Sequence, residues 1–337
     1  MSKSFESKPE SGVRRRRFLQ QTIVAGCGAL MPLSDQAAAA PARSAKPPTI
    51  DTHTHFYDPT RPAGVPWPSR DDPFLYRRVL PADYRKLAES LGVVGTVVVE
   101  ASPWLEDNQW LLDLAKDDPF LVGIIGQLSP GAPGFAEHLE RFSDNPLFRG
   151  IRIGSGTLDQ QLDDSRFIED LRRLKSCGLT LDINGGPEML QSIRRLAATI
   201  PELKIVVNHL ANVRIDGKSP PRDWRADLLS LKPHPRVWCK LSALVEGASQ
   251  PDTKSPTKVE YYRPIFETAW EAFGPRRLVY GSNWPVSERF GSYTDVHNLA
   301  LALASEVGDE FTRQLMLDNS QEAYSWVRRN IEKPKCQ

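Results

Sequence analysis

Thr49-Ile50-Asp51-Thr52-His53-Thr54-His55-Phe56 is the stretch that decides the fold. It is short and rich in β-branched residues, so it reads as a strand. Its two histidines stand two residues apart, on one face. Moving outward, similar runs return at residues 95–102, 121–128, 148–154, 179–186, 204–211, 237–244 and 277–284. Helical patterns fill the gaps. Tyr262, Ile265, Phe266, Ala269, Trp270 and Phe273 fall at helical spacing before Gly274-Pro275, and Tyr84, Leu87, Ala88 and Leu91 do so between Pro81 and Gly92. Strands alternating with helices imply parallel βαβ units. Eight such units predict an α/β fold, the (β/α)8 or TIM barrel. A doubly wound open sheet is the competitor, and no Gly-rich dinucleotide fingerprint follows the first strand to support it.

The 337 residues suffice for one such barrel, and the formal net charge of +1 gives no bulk signal for nucleic acid or an anionic membrane. The four cysteines, Cys27, Cys177, Cys239 and Cys336, are scattered and read as free thiols. Arg15-Arg16-Arg17-Phe18-Leu19-Gln20, a weakly apolar stretch to about Leu33, and Ala37 to Ala40 ahead of Pro41 read together as a twin-arginine-type export signal. The apolar stretch is shorter than the ~20 residues that a membrane span needs. The expected organisation is a signal over 1–40, a Pro/Ala-rich linker over 41–48 and one catalytic barrel over 49–337, placing the mature protein in the periplasm. Val24-Ala25-Gly26-Cys27 also resembles a lipoprotein cleavage box, which would make Cys27 a lipid anchor.

Barrel chemistry sits at the carboxyl ends of the strands. There the first strand offers His53 and His55, which can share a divalent cation or act as a hydrogen-bonding pair. The sixth ends in Asn208-His209, a third metal ligand or an acid/base partner. Glu100 closes the second strand and Asp182 lies inside the fifth, carboxylates costly to bury without a task. Arg152, on the fourth, can grip a substrate or pair with a barrel acid. Lys240 alternates with Cys239 on the seventh and is expected to face the lumen. The eighth gives Asn283 and Trp284. Asn283 stands where a water-activating carboxylate is expected, and an amide takes no proton. His138, His234 and His297 read as surface residues.

Ile50-Asp51-Thr52-His53-Thr54-His55-Phe56-Tyr57-Asp58-Pro59, Pro66-Trp67-Pro68, Glu100-Ala101-Ser102, Phe148-Arg149-Gly150-Ile151-Arg152, Asn208-His209, Lys240-Leu241-Ser242 and Gly281-Ser282-Asn283-Trp284-Pro285-Val286 together resemble the amidohydrolase-related (amidohydrolase 2) family. Within it the chain is most similar to the sugar-lactonase and pyrone-dicarboxylate lactonase branch, from about residue 49 to 326. The resemblance implies a TIM barrel that opens lactones with an activated water, or in cousins decarboxylates aromatic acids. It implies one divalent metal, often zinc, in some members and none in others. The family usually has Asp where Asn283 stands, and often Asp where Asn208 stands. The expectation is a hydrolase of a sugar-acid lactone or related cyclic ester. His53, His55 and His209 would be metal ligands. His209, Asn283, Glu100 and Asp182 would be catalytic. Arg152, Lys240 and Trp284 would bind a small-molecule substrate. The alternatives are a metal-dependent decarboxylase of the same superfamily or a non-catalytic metabolite-binding barrel.

Overall fold

The computed structural model describes residues 46–250 and 253–329. The export segment, Cys27, most of the linker and Cys336 lie outside them. Lys46, assigned above to the linker, reaches back to the barrel and donates from Nζ to the Ser90 carbonyl at 2.9 Å.

The described residues form eight parallel strands: β1 (Thr49–Thr54), β2 (Val93–Val99), β3 (Leu121–Gly126), β4 (Phe148–Gly154), β5 (Thr180–Asn184), β6 (Lys204–Val207), β7 (Val237–Leu241) and β8 (Leu278–Tyr280). They pair in chain order from β1 to β8. The seam between β8 and β1 is closed by Asn283 N–H donating to the His53 carbonyl and His55 N–H donating to the Trp284 carbonyl, each at 2.9 Å. β4 reaches its predicted end at Gly154, and the other seven strands stop short of theirs, because the chain turns away as soon as it leaves the ladder.

The outer helices form as their periodicity predicts. The helix Val259–Phe273 buries Tyr262, Ile265, Phe266, Ala269 and Phe273 and stops at Gly274, whose φ of 62° a side chain resists. Inside the barrel Ile50, Val97, Val99, Val122, Ile125, Val206, Trp238 and Val279 pack with Tyr324 into a separate apolar plug. That plug occupies the lower lumen and leaves the polar residues of the carboxyl ends above it. Cys177 and Cys239 are free thiols. No helix among the described residues is long and apolar enough to cross a membrane.

Candidate active site

A cavity of about 530 Å³ opens at the carboxyl ends of the strands, lined among others by His55, Trp67, Arg152, His209, Glu246 and Asn283. Its histidines are aimed by a kink in β1. The β1–β2 register shifts between Asp51 and Thr54. At the shift the Asp51 carboxylate accepts from the His53 N–H at 3.1 Å and the Ser282 N–H at 2.9 Å, while its other oxygen accepts from Tyr84 and Tyr293 at 2.7 and 3.2 Å. Burial raises the Asp51 pKa, and these donors work against that rise. Gly281 lets the two strands approach, since a Cβ there would lie 2.8 Å from that of His53.

The floor is ionic. Lys240 Nζ donates to Asp182 at 2.7 Å and lies 3.0 Å from His53 Nδ1; Lys240 and Asp182 are both fully buried. Tyr324 donates its hydroxyl to Asp182 at 3.1 Å. An ammonium only donates, so Lys240 takes the lone pair of His53 Nδ1 and the ring proton sits on Nε2. That Nε2 is buried with no partner among the described residues. Burial holds the His53 pKa well below the usual range, and the Lys240 charge pushes the same way.

His55 has the opposite tautomer. Its Nδ1 lies 2.8 Å from the Val99 carbonyl, which can only accept, so Nε2 carries the lone pair. Nε2 in turn lies 3.3 Å from Asn283 Oδ1. Two acceptors therefore stand side by side at the cavity wall, ready for a donor such as water. Burial, reinforced by the Arg152 charge, lowers the His55 pKa to about 3. On its other side Asn283 donates from Nδ2 to Glu246 Oε1 at 2.8 Å.

His209 starts a left-handed turn. His209, Leu210, Ala211 and Asn212 have φ of 56°, 52°, 57° and 46°. Four residues in this region cost on the order of 4–8 kcal/mol together, comparable with the whole stability margin of a domain. The turn is held by neighbours: Trp224 Nε1 donates to the Leu210 carbonyl at 2.9 Å, and Asn212 Nδ2 to the Gly185 carbonyl at 2.8 Å. His209 Nδ1 lies 2.8 Å from Ser242 Oγ, so Nε2 is the nitrogen left for the cavity. Burial sets its pKa well below the usual value. Such strain concentrates where geometry matters for function.

The predicted residues do not all converge. Arg152 lines the cavity and donates from Nη2 to the Glu100 carbonyl; among the described residues it has no carboxylate within 4.0 Å, so its charge is free for a ligand. Lys240 faces the lumen. Asp182, proposed as a base, is locked beneath the floor between Lys240 and Tyr324. Glu100 turns aside: its Oε1 accepts from Ala101 and Ser102 N–H at 2.7 and 2.6 Å, and its carboxyl borders a separate small void beside Arg61 and Trp110. Burial lifts its pKa to about 7. Trp284 does not reach the cavity. Asn283, at φ 59°, reverses the chain, and the indole packs on Phe56 and Tyr84 and donates to Glu288 Oε1 at 2.8 Å. His297 is buried against Tyr280 rather than on the surface, while His138 and His234 are partly exposed. The sequence reading missed Glu246, Asn184, Asn212 and Phe290, all on the cavity wall. The one sequence signal for Glu246 was a lone acid just past the seventh strand.

A metal fits this arrangement poorly. His55 offers a lone pair, but Lys240 has fixed the His53 proton on the nitrogen that would bind. No carboxylate joins the imidazoles, and Arg152 and Lys240 add positive charge. Among the described residues no group of three or more His, Cys, Asp and Glu is placed to hold an ion.

A closed (β/α)8 barrel with a histidine- and arginine-lined polar mouth defines a barrel hydrolase. The amidohydrolase family model matches residues 50–326. The L-fucono-1,5-lactonase of Burkholderia ambifaria is 32% identical over 270 residues, 78% of this chain and 88% of that protein. The enzyme of the same name from Burkholderia multivorans is 28% identical, over 74% of this chain and 86% of that one. A crystal structure of a Burkholderia multivorans amidohydrolase with bound zinc superposes with a TM-score of 0.74 at 25% identity, covering 83% of this chain and 99% of that one. The chain belongs to the amidohydrolase family, in its lactonase-like branch. Divalent metals are used within the wider superfamily, as the zinc-bound neighbour illustrates.

Proposed function

We propose that the protein hydrolyses the ring ester of a sugar-acid lactone without a resident metal. The observation that carries this reading is an unpaired guanidinium and the His209 imidazole sharing one cavity wall with a pair of open acceptors, His55 Nε2 and Asn283 Oδ1. The fuconolactonase relatives support the substrate class. Trp67 and Phe290 offer apolar faces for a sugar ring, and Asn184 and Asn212 offer amides for its hydroxyls.

Arg152 and His209 are placed to hold the ester carbonyl. His53 Nε2–H, unpartnered and backed by the Lys240 charge, sits behind them; its ring lies 4.3 Å from that of His209 between centroids. Preorganised donors of this kind stabilise the oxyanion that forms when water attacks, and losing one costs about 10²–10³ in rate. A water donating to His55 Nε2 and Asn283 Oδ1 would be held at the acyl carbon. Expulsion of the ring oxygen then yields the open hydroxy acid. The test is a panel of aldonolactones followed with a pH indicator. Turnover of sugar lactones is expected; saturable binding with no turnover would leave a binding barrel instead.

We also propose that the chain is exported, on the support of the Arg15-Arg16-Arg17 motif. Replacing the three with Lys should retain it in the cytoplasm, and unaltered export would refute this. Mass spectrometry of the mature N-terminus separates acylated Cys27 from cleavage near Ala40.

A further inference from the structure

With amides at Asn208 and Asn283, the hydrolytic water needs another proton acceptor. The imidazoles of His53, His55 and His209 are all poor bases in this setting, Asp182 is locked to Lys240, and Glu100 faces away from the cavity. One carboxyl remains on the wall. Glu246 lies on the four-residue helix Leu244–Gly247, which starts after Ala243 turns the chain at φ 52°. Its Oε1 accepts from Asn283 Nδ2 at 2.8 Å. Its Oε2 is shielded from solvent and has no partner among the described residues, although the residue lines the cavity.

We infer that Glu246 is the general base of this hydrolase, and that Asn283 is a positioning residue that orients the Glu246 carboxylate and the water together. The inference rests on the lactonase reading. In the first step water loses a proton to the Glu246 carboxylate as its oxygen bonds to the acyl carbon and the carbonyl electron pair moves onto oxygen. In the second that pair returns, the ring C–O bond breaks, and the departing oxygen takes the proton back from Glu246. One lactone and one water give one hydroxy acid, with Glu246 regenerated.

The environment suits the role. Burial lifts the Glu246 pKa to about 7, with the Asn283 hydrogen bond opposing, and no charged side chain contributes to that shift. The titratable neighbour is the Tyr262 phenol, which burial keeps protonated and whose pKa Glu246 pushes further up. A base with a pKa near the working pH combines adequate basicity with a populated ionised form.

The experiment compares the parent, Glu246→Gln and the double variant Glu246→Gln/Asn283→Asp on one aldonolactone, reading kcat and KM across pH. Gln keeps an oxygen for Asn283 Nδ2, so folding should survive, and circular dichroism checks it. Glu246→Gln is expected to lose about 10²–10⁴ in kcat with KM little changed, and to lose the limb of the pH profile near 7. The double variant puts a carboxylate back across the same hydrogen bond and should regain part of the rate. Parent turnover matched by Glu246→Gln overturns the assignment of Glu246 alone. So does a slow Glu246→Gln variant that keeps the limb, since the titrating base is then elsewhere. No turnover by the parent on any lactone overturns the lactonase reading and the assignment with it.

Discussion

Replacing Lys240 with Met removes the buried ammonium from the barrel floor and leaves Asp182 behind it. Both side chains are fully buried, at 2.7 Å. After the substitution the Asp182 carboxylate keeps only the Tyr324 hydroxyl, at 3.1 and 3.3 Å from its two oxygens. Breaking such a pair costs about 3–5 kcal/mol, because a charge is left in a medium that cannot solvate it. For a large domain each kcal/mol moves Tm by roughly 2–4 °C, so a fall of about 6–20 °C is expected. Lys240→Met/Asp182→Leu removes both charges and should recover most of that loss, since apolar replacements of buried pairs are often neutral. Activity should stay absent in both, because the His53 proton is then no longer fixed on Nε2. The assay is thermal unfolding at one scan rate beside lactone turnover. A single variant within about 2 °C of the parent would show that the pair is not the buried ionic unit described. A double variant as active as the parent would remove Lys240 from the mechanism.

Arg152→Lys keeps the charge but loses the fork, so kcat/KM should fall about 10–100-fold, as for one lost bidentate contact; an unchanged value would place Arg152 outside the substrate site. Ala211→Gly relieves one left-handed residue and should raise stability by about 1 kcal/mol net, read in urea; a destabilised variant would refute the strain. Prolonged chelation followed by elemental analysis should leave full activity in metal-free protein, and loss of activity restored by zinc would show that the imidazoles do bind an ion. Glu246 also sets a pH dependence of stability. Its folded pKa is raised from 4.5 to about 7, so the folded state holds that proton more tightly, and the group weakens the fold as pH rises through this window. At about 1.4 kcal/mol per unit the effect is at most ~3 kcal/mol above pH 7. Glu246→Gln should therefore gain Tm at pH 8 relative to pH 5; an equal change at both would contradict the raised pKa.

The strands were legible because each is a β-branched run between polar breaks, and His53, His55, Arg152 and Lys240 because period-two alternation places them at strand ends on the lumen side. What was not legible depends on how the chain leaves the strands. Trp284 follows Asn283 directly, so linear reading put both at the mouth; the positive φ of Asn283 sends the indole outward. His297 falls on the buried face of Tyr293–Val307, a helix whose apolar face is too broad to mark one polar position as interior. Glu246 sits on a helix too short to carry any periodicity, and its importance arises only from a hydrogen bond to a residue 37 positions away. Glu100 and Asp182 read alike as acids in apolar runs. Only their partners, two backbone amides against an ammonium, tell them apart.

The β8–β1 seam also bears on the order in which the molecule can be made. His55 meets Asn283 across 228 positions, and Asp51 meets the Ser282 amide across 231. During synthesis the first strand therefore waits for nearly the whole chain before its histidines acquire their settings. Until then the Asp51 carboxylate lacks one of its main-chain donors. Contacts this distant in sequence form late, after the loop-closure entropy of everything between has been met. On refolding, helical signal should return before lactone turnover does, and a chain ending before residue 278 should hold no competent site even where its first seven strands collapse. Assembly of the catalytic pocket and completion of the barrel are then one kinetic event, and an active molecule is by construction a fully closed one.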